Sequence, residues 1–538
     1  MSATAFATLP APTVRLIPPD GERTAWIAQR ADGTLLRIGA DAATLLDALE
    51  RERDRDQLVG RLGAPWTAEA VDAALVTLGK AGLVDAGQSS APAPSRAQAL
   101  RWVPPASLQL TLIRDPRRLN ALRGRLTWIL SRPIVGLQLL IAAAGLAALF
   151  ARHTAVVSAA TSPLSPAAVA AVILATVFLT SLHELGHGAA LVAYGGRVRR
   201  FGVMIFYASL AMFCDVTDAW LLSSRRSARN VALAGGLAST ALAGVCSLAA
   251  AAAPPAVALV LTLVALIAYV GAVINLIPLV KFDGYVALVL AKGENHLRAR
   301  AMNAWVDALA GRHSQTPPAG WDRGGLIAFG LGCSLFPLLL IGASAVEVSR
   351  SLEHLGPLGA AGQLVIAALV GALALQRAIS FVKRTSGRGL PWRVPIAVLG
   401  AVLAATVSAG LLLKAPVTTS IPYVQTGTSV LLAPNLTAPH VQLSPGERVR
   451  LDSVGLLASR HVGTAVVISA HADGAEVPSA LRTPALQIGG SFSTPVIHAT
   501  APAHRPRVGY GRVNAGRASV LSRSVHEFVL APVEAIVP

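Results

Sequence analysis

The stretch "SLHELGHG", residues 181–188, places two histidines and a glutamate within five positions. His183 and His187 are four residues apart, so on a helix they share one face. Two imidazoles on one face can bind a single zinc ion. Glu184, beside the first histidine, is placed to take a proton from a water that such an ion polarises. The chemistry these residue types support is metal-assisted hydrolysis.

The surroundings are apolar. "AAVAAVILATVFLT" precedes the stretch and "AALVAY" follows it, so three ionisable side chains sit inside a run that reads as a membrane span. Over the whole chain of 538 residues, 53% are hydrophobic and 14% charged. Mean hydropathy is +0.57. The apolar residues collect between 133 and 414. Spans are expected at about 134–150, 166–194, 230–253, 256–280, 324–346, 358–379 and 394–413. The expected fold is therefore a polytopic α-helical membrane protein with about seven transmembrane helices and a soluble region at each end.

The formal net charge is +18. Most of it lies before span one and after spans two, four and six, where the positive-inside rule puts it. The partner implied is a lipid bilayer, and no nucleic acid is expected. The same asymmetry predicts a cytoplasmic N-terminus and an extracytoplasmic C-terminal region in a bacterial inner or plasma membrane. "MSATAFATLPAPTVRLIPPDG" lacks a basic start with an apolar core, so no cleaved signal peptide is expected. The three cysteines, Cys214, Cys246 and Cys333, have no metal-type spacing and imply no disulfide framework.

Four regions follow. Residues 1–86 read as an α+β, winged-helix-like module. "TAWIAQR" and "TLLRIGA" flank a hairpin turn at Asp32-Gly33. Three helices come next, the first with Asp41 as N-cap and the last closed by Gly82. Residues 87–132 read as a linker and basic juxtamembrane segment, 133–414 as the membrane domain, and 415–538 as an extracytoplasmic all-β domain. In the last, "GTAVVISAHA" and "HEFVLAPVEAIV" read as strands. "FGVMIFYASLAMF" after span two is β-branched and aromatic, too irregular for a helix. Asp215 and Asp218 in "CDVTDAW" read as turn or cap residues. Cys214 reads as a buried apolar residue, and "ALAGGLAS" as close helix packing.

Catalytic zinc sites keep three protein ligands and one open position. The best third candidate is Asp283 in "NLIPLVKFDG", 275–284, at the cytoplasmic end of span four, with Pro278 and Gly284 loosening the backbone. His187 lies about 10 Å inside the cytoplasmic end of span two at 1.5 Å per residue. Asp283 reaches it if "KFDG" folds back or starts a half-helix, "YVALVLA". Asn275, in the same stretch, reads on its own as a helix-to-helix hydrogen-bonding residue.

His183-Glu184-x-x-His187 followed by Asn275-x-x-Pro278-x-x-x-x-Asp283-Gly284 resembles the site-2 protease family of intramembrane zinc metalloproteases, over about residues 166–290. The resemblance implies a site-2-protease-like core in which Zn2+ is bound by His183, His187 and Asp283. It makes Glu184 the general base and gives Asn275 a role in orienting substrate or the tetrahedral intermediate. Residues 1–86 resemble PqqD-like domains, which bind the leaders of ribosomally made, modified peptides by strand addition. Together the resemblances imply a protease that removes such a leader from a precursor peptide held by residues 1–86. The region around "DVTDAW" is similar to the metalloproteases of peptide-maturation clusters of the daptide type. The C-terminal region is similar to adaptor domains of export machinery. Two rival readings stay open: a site-2-type protease cutting a transmembrane signalling protein such as an anti-sigma factor, and a non-catalytic peptide-binding export or immunity protein.

Overall fold

A computed structural model describes the chain except residues 1–11, 13, 21–24, 31–34, 53, 85–99, 104–106, 115, 207–208, 295, 310, 313–314, 319, 353–355, 437–440 and 537–538. Among the described residues, seven helices are long and apolar enough to cross a membrane. These are spans one to seven: Arg132–Ala151, Pro166–Ala193, Arg225–Ala252, Pro255–Leu276, Arg323–Ser349, Leu358–Ser386 and Arg393–Leu412. A helix of 20 residues is about 30 Å long and satisfies its own backbone, which is what hydrocarbon demands. Leu140, Leu174, Leu339 and Leu412 are exposed on these helices. That is the surface a bilayer requires and water penalises. The expected boundaries hold within five residues except at the end of span six, which runs to Ser386 rather than 379. Span four stops at Leu276 rather than 280, because Pro278 has no N–H to continue the ladder.

The chain divides into two compact units, Met1–Arg132 with His183–Gly235, and Pro133–Leu182 with Gly236–Pro538. In the first, β1 (Val14–Ile17), β2 (Trp26–Arg30) and β3 (Leu35–Ile38) form an antiparallel sheet in that order. Trp26 faces Ile38 and Gln29 faces Leu35; the turn at Asp32-Gly33 lies outside the described residues. Helices α1 (Ala40–Arg51), α2 (Arg55–Leu62) and α3 (Ala68–Lys80) follow. They bury Leu45, Leu49, Leu58, Val71 and Leu75 against Ala28 of the sheet. Asp54 caps α2 and Thr67 caps α3 with their side chains. The cap of α1 is Gly39, not Asp41; Asp41 lies in the first turn, where its charge suits the helix dipole. After α3, Gly82 takes φ +66°.

The segment 87–132 is more than a linker. It supplies β4 (Leu100–Val103) and β5 (Ser107–Arg114), which join β6 (Arg200–Phe206) and β7 (Ser209–Cys214) in one antiparallel sheet of order β4-β5-β6-β7. "FGVMIFYASLAMF" is thus a hairpin, with Val203 opposite Leu110 on one side and Met212 on the other. The strand signal was present in β5, whose Leu108, Leu110 and Leu112 alternate with polar residues.

In the second unit the stretch after span four holds two helices, α4 (Asp283–Lys292) and α5 (Leu297–Leu309). α5 packs on span five. Its buried Asp307 receives Arg388 Nη1 on both carboxylate oxygens at 2.5 Å. Beyond span seven, β8 (Lys414–Leu432), β9 (Arg448–Val454), β10 (Ser459–Pro478) and β11 (Ser491–Ser519) form an antiparallel sheet of order β10-β9-β11-β8. Its core includes Ile421, Tyr423, Val430, Leu451 and Val467.

This β domain docks on the connection between spans one and two. Ala458 N–H donates to Ala160 O at 3.0 Å, Ser453 Oγ to Thr161 O at 2.8 Å, and Gln487 N–H to Leu164 O at 2.7 Å. Six spans separate the two segments, an even number, so a chain crossing at every span brings both to one side.

The stretch "HEFVLAPVEAIV" is not a strand. The chain is helical from Val520–Val525 through a wider π turn, His526–Leu530, to Ala531–Ile536. Its apolar residues Val525, Val529, Val533 and Ile536 recur at helical spacing. Ser519 Oγ accepts from Ser522 N–H and starts the helix.

Candidate metal centre

Span two runs unbroken from Pro166 to Ala193, so His183, Glu184 and His187 occupy its last turns. Their ligand atoms lie within 4.8 Å of one another. The Nε2 atoms of His183 and His187 are 3.2 Å apart, and the rings meet nearly at right angles, 81°. Two nitrogens on one tetrahedral zinc, each at about 2.0–2.1 Å, stand about 3.3 Å apart. The pair therefore has the separation one ion needs, and imidazole with carboxylate is a donor set that suits zinc.

The protonation of His187 follows from its other nitrogen. Nδ1 lies 2.8 Å from Val231 O. A carbonyl oxygen can only accept, so Nδ1 carries the hydrogen, and in the neutral ring Nε2 keeps its lone pair for a metal. His187 is buried. Span three supplies that carbonyl and also comes close enough to shape the site at Gly235. A Cβ there would stand 2.3 Å from His187 Nε2 and 2.8 Å from His183 O. Only glycine lets the two helices meet at this level.

Glu184 Oε2 accepts a hydrogen bond from Cys214 N–H, the last residue of β7, at 2.8 Å. The sheet thus fixes the carboxylate. Cys214 itself stays a thiol near neutral pH: burial first, then the Glu184 and Asp215 charges, push it up to about 12. The two aspartates beyond it close the turn. Asp215 accepts from Thr217 Oγ1 at 2.5 Å and pairs with Arg200 at 3.0 Å; Asp218 pairs with Arg199 at 2.7 Å. Burial would raise the Asp215 carboxyl, but its bonds to Thr217 and Arg200 outweigh burial and hold it below its ordinary value.

Asn275 and Asp283 belong to the second unit. Asn275 sits in the last turn of span four, and Asp283 is the first residue of α4. The turn between them is tightly held. A Cβ at Gly284 would stand 2.1 Å from Leu276 O, so glycine is what lets α4 begin against the end of span four. Arg298 of α5 donates to Leu279 O at 3.3 Å and to Cys333 O at 2.9 Å, while its own N–H donates to Tyr285 Oη at 3.3 Å. The midpoint of the Asn275–Asp283 segment is thereby pinned to α5 and span five.

The structure thus brings together His183, Glu184 and His187. It adds Val231 O, Cys214 N–H and Gly235 to the first site and Arg298 to the second segment. Gly235 had a sequence signal, the small-residue run "ALAGGLAS". A backbone carbonyl and a backbone N–H have none, and Arg298 is one of two arginines in "HLRARAM". Comparison of the chain with protein-family models, with curated proteins and with solved structures finds no match.

Proposed function

We propose that the protein is a zinc-dependent intramembrane peptidase. The observation that carries this reading is the pairing of the His183 and His187 Nε2 atoms at 3.2 Å beside the Glu184 carboxylate, near the end of a membrane-length helix. Ionisable groups in such a helix are expensive and are kept where they act.

A zinc ion bound there supplies Lewis-acid polarisation of a peptide carbonyl and of water. His183 and His187 hold it, and the site-2 protease resemblance assigns Asp283 as third ligand. Glu184 takes the proton of the attacking water and delivers it to the leaving amine nitrogen. Asn275 orients the substrate. Because β7 is an edge strand of its sheet and ends on Glu184, a peptide laid along β7 would reach the carboxylate already extended. That matters because a helical substrate shields its own peptide bonds.

The substrate class is proposed from the resemblance of residues 1–86, whose described part is a three-stranded sheet of order β1-β2-β3 followed by three helices. On this reading the module holds the leader of a ribosomally made, modified precursor peptide of the daptide type. The membrane domain removes that leader during maturation or export. The basic loops favour a cytoplasmic N-terminal module by the positive-inside rule. The β domain then stands outside, where it serves as an adaptor for export machinery. Cleavage of a transmembrane signalling protein uses the same centre but leaves the N-terminal module without a task.

The test is cleavage by purified protein in detergent of precursor peptides encoded near its gene, read by mass spectrometry, with and without chelator and beside Glu184→Gln. A discrete cut needing both metal and Glu184 supports the reading. A precursor bound by residues 1–86 and never cut turns the function into carriage. If neither occurs, membrane signalling proteins become the substrates to try.

A further inference from the structure

The C-terminal helix, Val520–Val525 through His526–Leu530 to Ala531–Ile536, returns to the membrane helices after the β domain. Val520 N–H donates to Leu413 O at 2.8 Å, next to the end of span seven. Its first turns pack on span seven and its later turns on span six. The β domain is therefore held at both its chain ends by the spans, at Leu413 and at Val520.

The helix has two unlike faces. Arg523 Nε lies 3.4 Å from Glu527 Oε2, and Arg523 Nη1 donates to Pro416 O, near the start of β8, at 3.0 Å. The polar edge thus lies against the root of the β domain. Val525, Val529, Val533 and Ile536 form a stripe that stays open at 43%, 42%, 43% and 41% exposure. An apolar stripe of this length is not left in water without cost. The helix that carries it begins beside Leu413, where Leu411 and Leu412 at the end of span seven and Leu413 itself are exposed apolar residues of the kind a bilayer covers.

Which membrane depth fits is decided by the charges. Arg523, His526, Glu527 and Glu534 lie in 17 residues, too many ionisable groups for a segment crossing the hydrocarbon. A helix with one apolar stripe and one charged edge lies in the interface, stripe down and charges at headgroup level.

We propose that residues 520–536 form an interfacial helix on the membrane face where span seven ends, with the Val525/Val529/Val533/Ile536 stripe sunk among lipid acyl chains. It is a lipid-binding element outside the seven spans, and it anchors the far end of the β domain to the bilayer. The zinc chemistry is not part of this argument.

The test uses the full-length protein in phosphatidylcholine vesicles containing a phosphatidylcholine with a diazirine in its acyl chain. After photolysis, adducts are mapped by mass spectrometry. In a parallel sample, hydroxyl-radical footprinting reads water access. Acyl adducts on 525–536 as dense as on the lipid-facing part of span seven, with little oxidation, are expected. Oxidation of the stripe at the level of the exposed Ile468 in β10, without adducts, would put it in water and overturn the proposal. Neither adduct nor oxidation would mean that protein, such as a second copy, covers the stripe, and would overturn it equally.

Discussion

Cys214 and Glu184 are thirty residues apart in the chain and share a 2.8 Å hydrogen bond, from the Cys214 backbone N–H to Glu184 Oε2. The bond joins the end of β7 to the helix that carries both histidines. A base that takes a proton from water must sit at a fixed place relative to the nucleophile it makes. On the proposed function, the β7 edge would set that place for Glu184 and would also be where an extended peptide finds its hydrogen bonds.

Glu184→Gln separates the two roles. The amide oxygen of Gln can still accept from Cys214 N–H, so geometry is kept while the base is lost. Zinc content is expected to stay near that of the parent protein. Cleavage should fall by about 10²–10⁴, the usual contribution of a general base. His187→Ala should lose metal and cleavage together. Elemental analysis of the purified variants beside a peptide-cleavage assay checks both; a Gln variant that cuts normally would remove Glu184 from the chemistry.

Gly235→Ala tests whether span three shapes the centre. Its Cβ would stand 2.3 Å from His187 Nε2, a contact no rotamer of Ala relieves. Displacement of the imidazole is expected, with loss of zinc and a stability penalty of about 1–3 kcal/mol for the overpacking. Gly236→Ala is the control, since a Cβ there meets nothing within 4 Å. Metal titration of both variants gives the answer, and equal affinities would mean that the helices give way instead.

Much of this architecture is legible in the sequence because membranes impose a simple code. An apolar run of 20 residues satisfies its own backbone as a helix, so the seven spans are legible, with only the end of span six more than five residues from its expected place. His183 and His187 are equally legible, because a four-residue spacing fixes a shared face. What stayed hidden depends on contacts between distant segments. β4 and β5 lie in a basic, proline-bearing stretch; β4 pairs with β5, and β5 joins them to the distant hairpin by pairing with β6. The C-terminal helix was hidden by its valines, which favour strands until packing on spans six and seven decides otherwise. Val231 O acts through its backbone, which no side-chain pattern records.

Arg298 is expected to be a positioning residue for the segment that carries Asp283. Its guanidinium bridges Leu279 O and Cys333 O. Lysine cannot reproduce that planar fork, so Arg298→Lys and Arg298→Ala should both weaken zinc binding, by about tenfold as for other groups that orient a ligand. Gly284→Ala should be worse, because its Cβ meets the backbone at Leu276 O, which cannot move aside as a side chain would. Calorimetric zinc titration reads the effect apart from activity. Unchanged affinity in all three variants would argue that Asp283 is not a ligand.

The turn after β7 should give the protein an acid limit. Asp215 is held below its ordinary value of 3.8 by Thr217 and Arg200, against the opposing effect of burial. A carboxylate whose folded value is lowered contributes stability that is complete above the unfolded value. That stability is lost as pH falls through the folded value. Asp215→Asn removes the charge and with it this contribution. At pH 7 the variant should melt below the parent protein. The gap should narrow once pH drops under about 4, as the parent's own Asp215 becomes protonated. Thermal melting of both proteins in the same detergent, followed from neutral pH downward, checks this. A gap that stays constant across the acid range would show that the variant's loss does not come from the charge on Asp215.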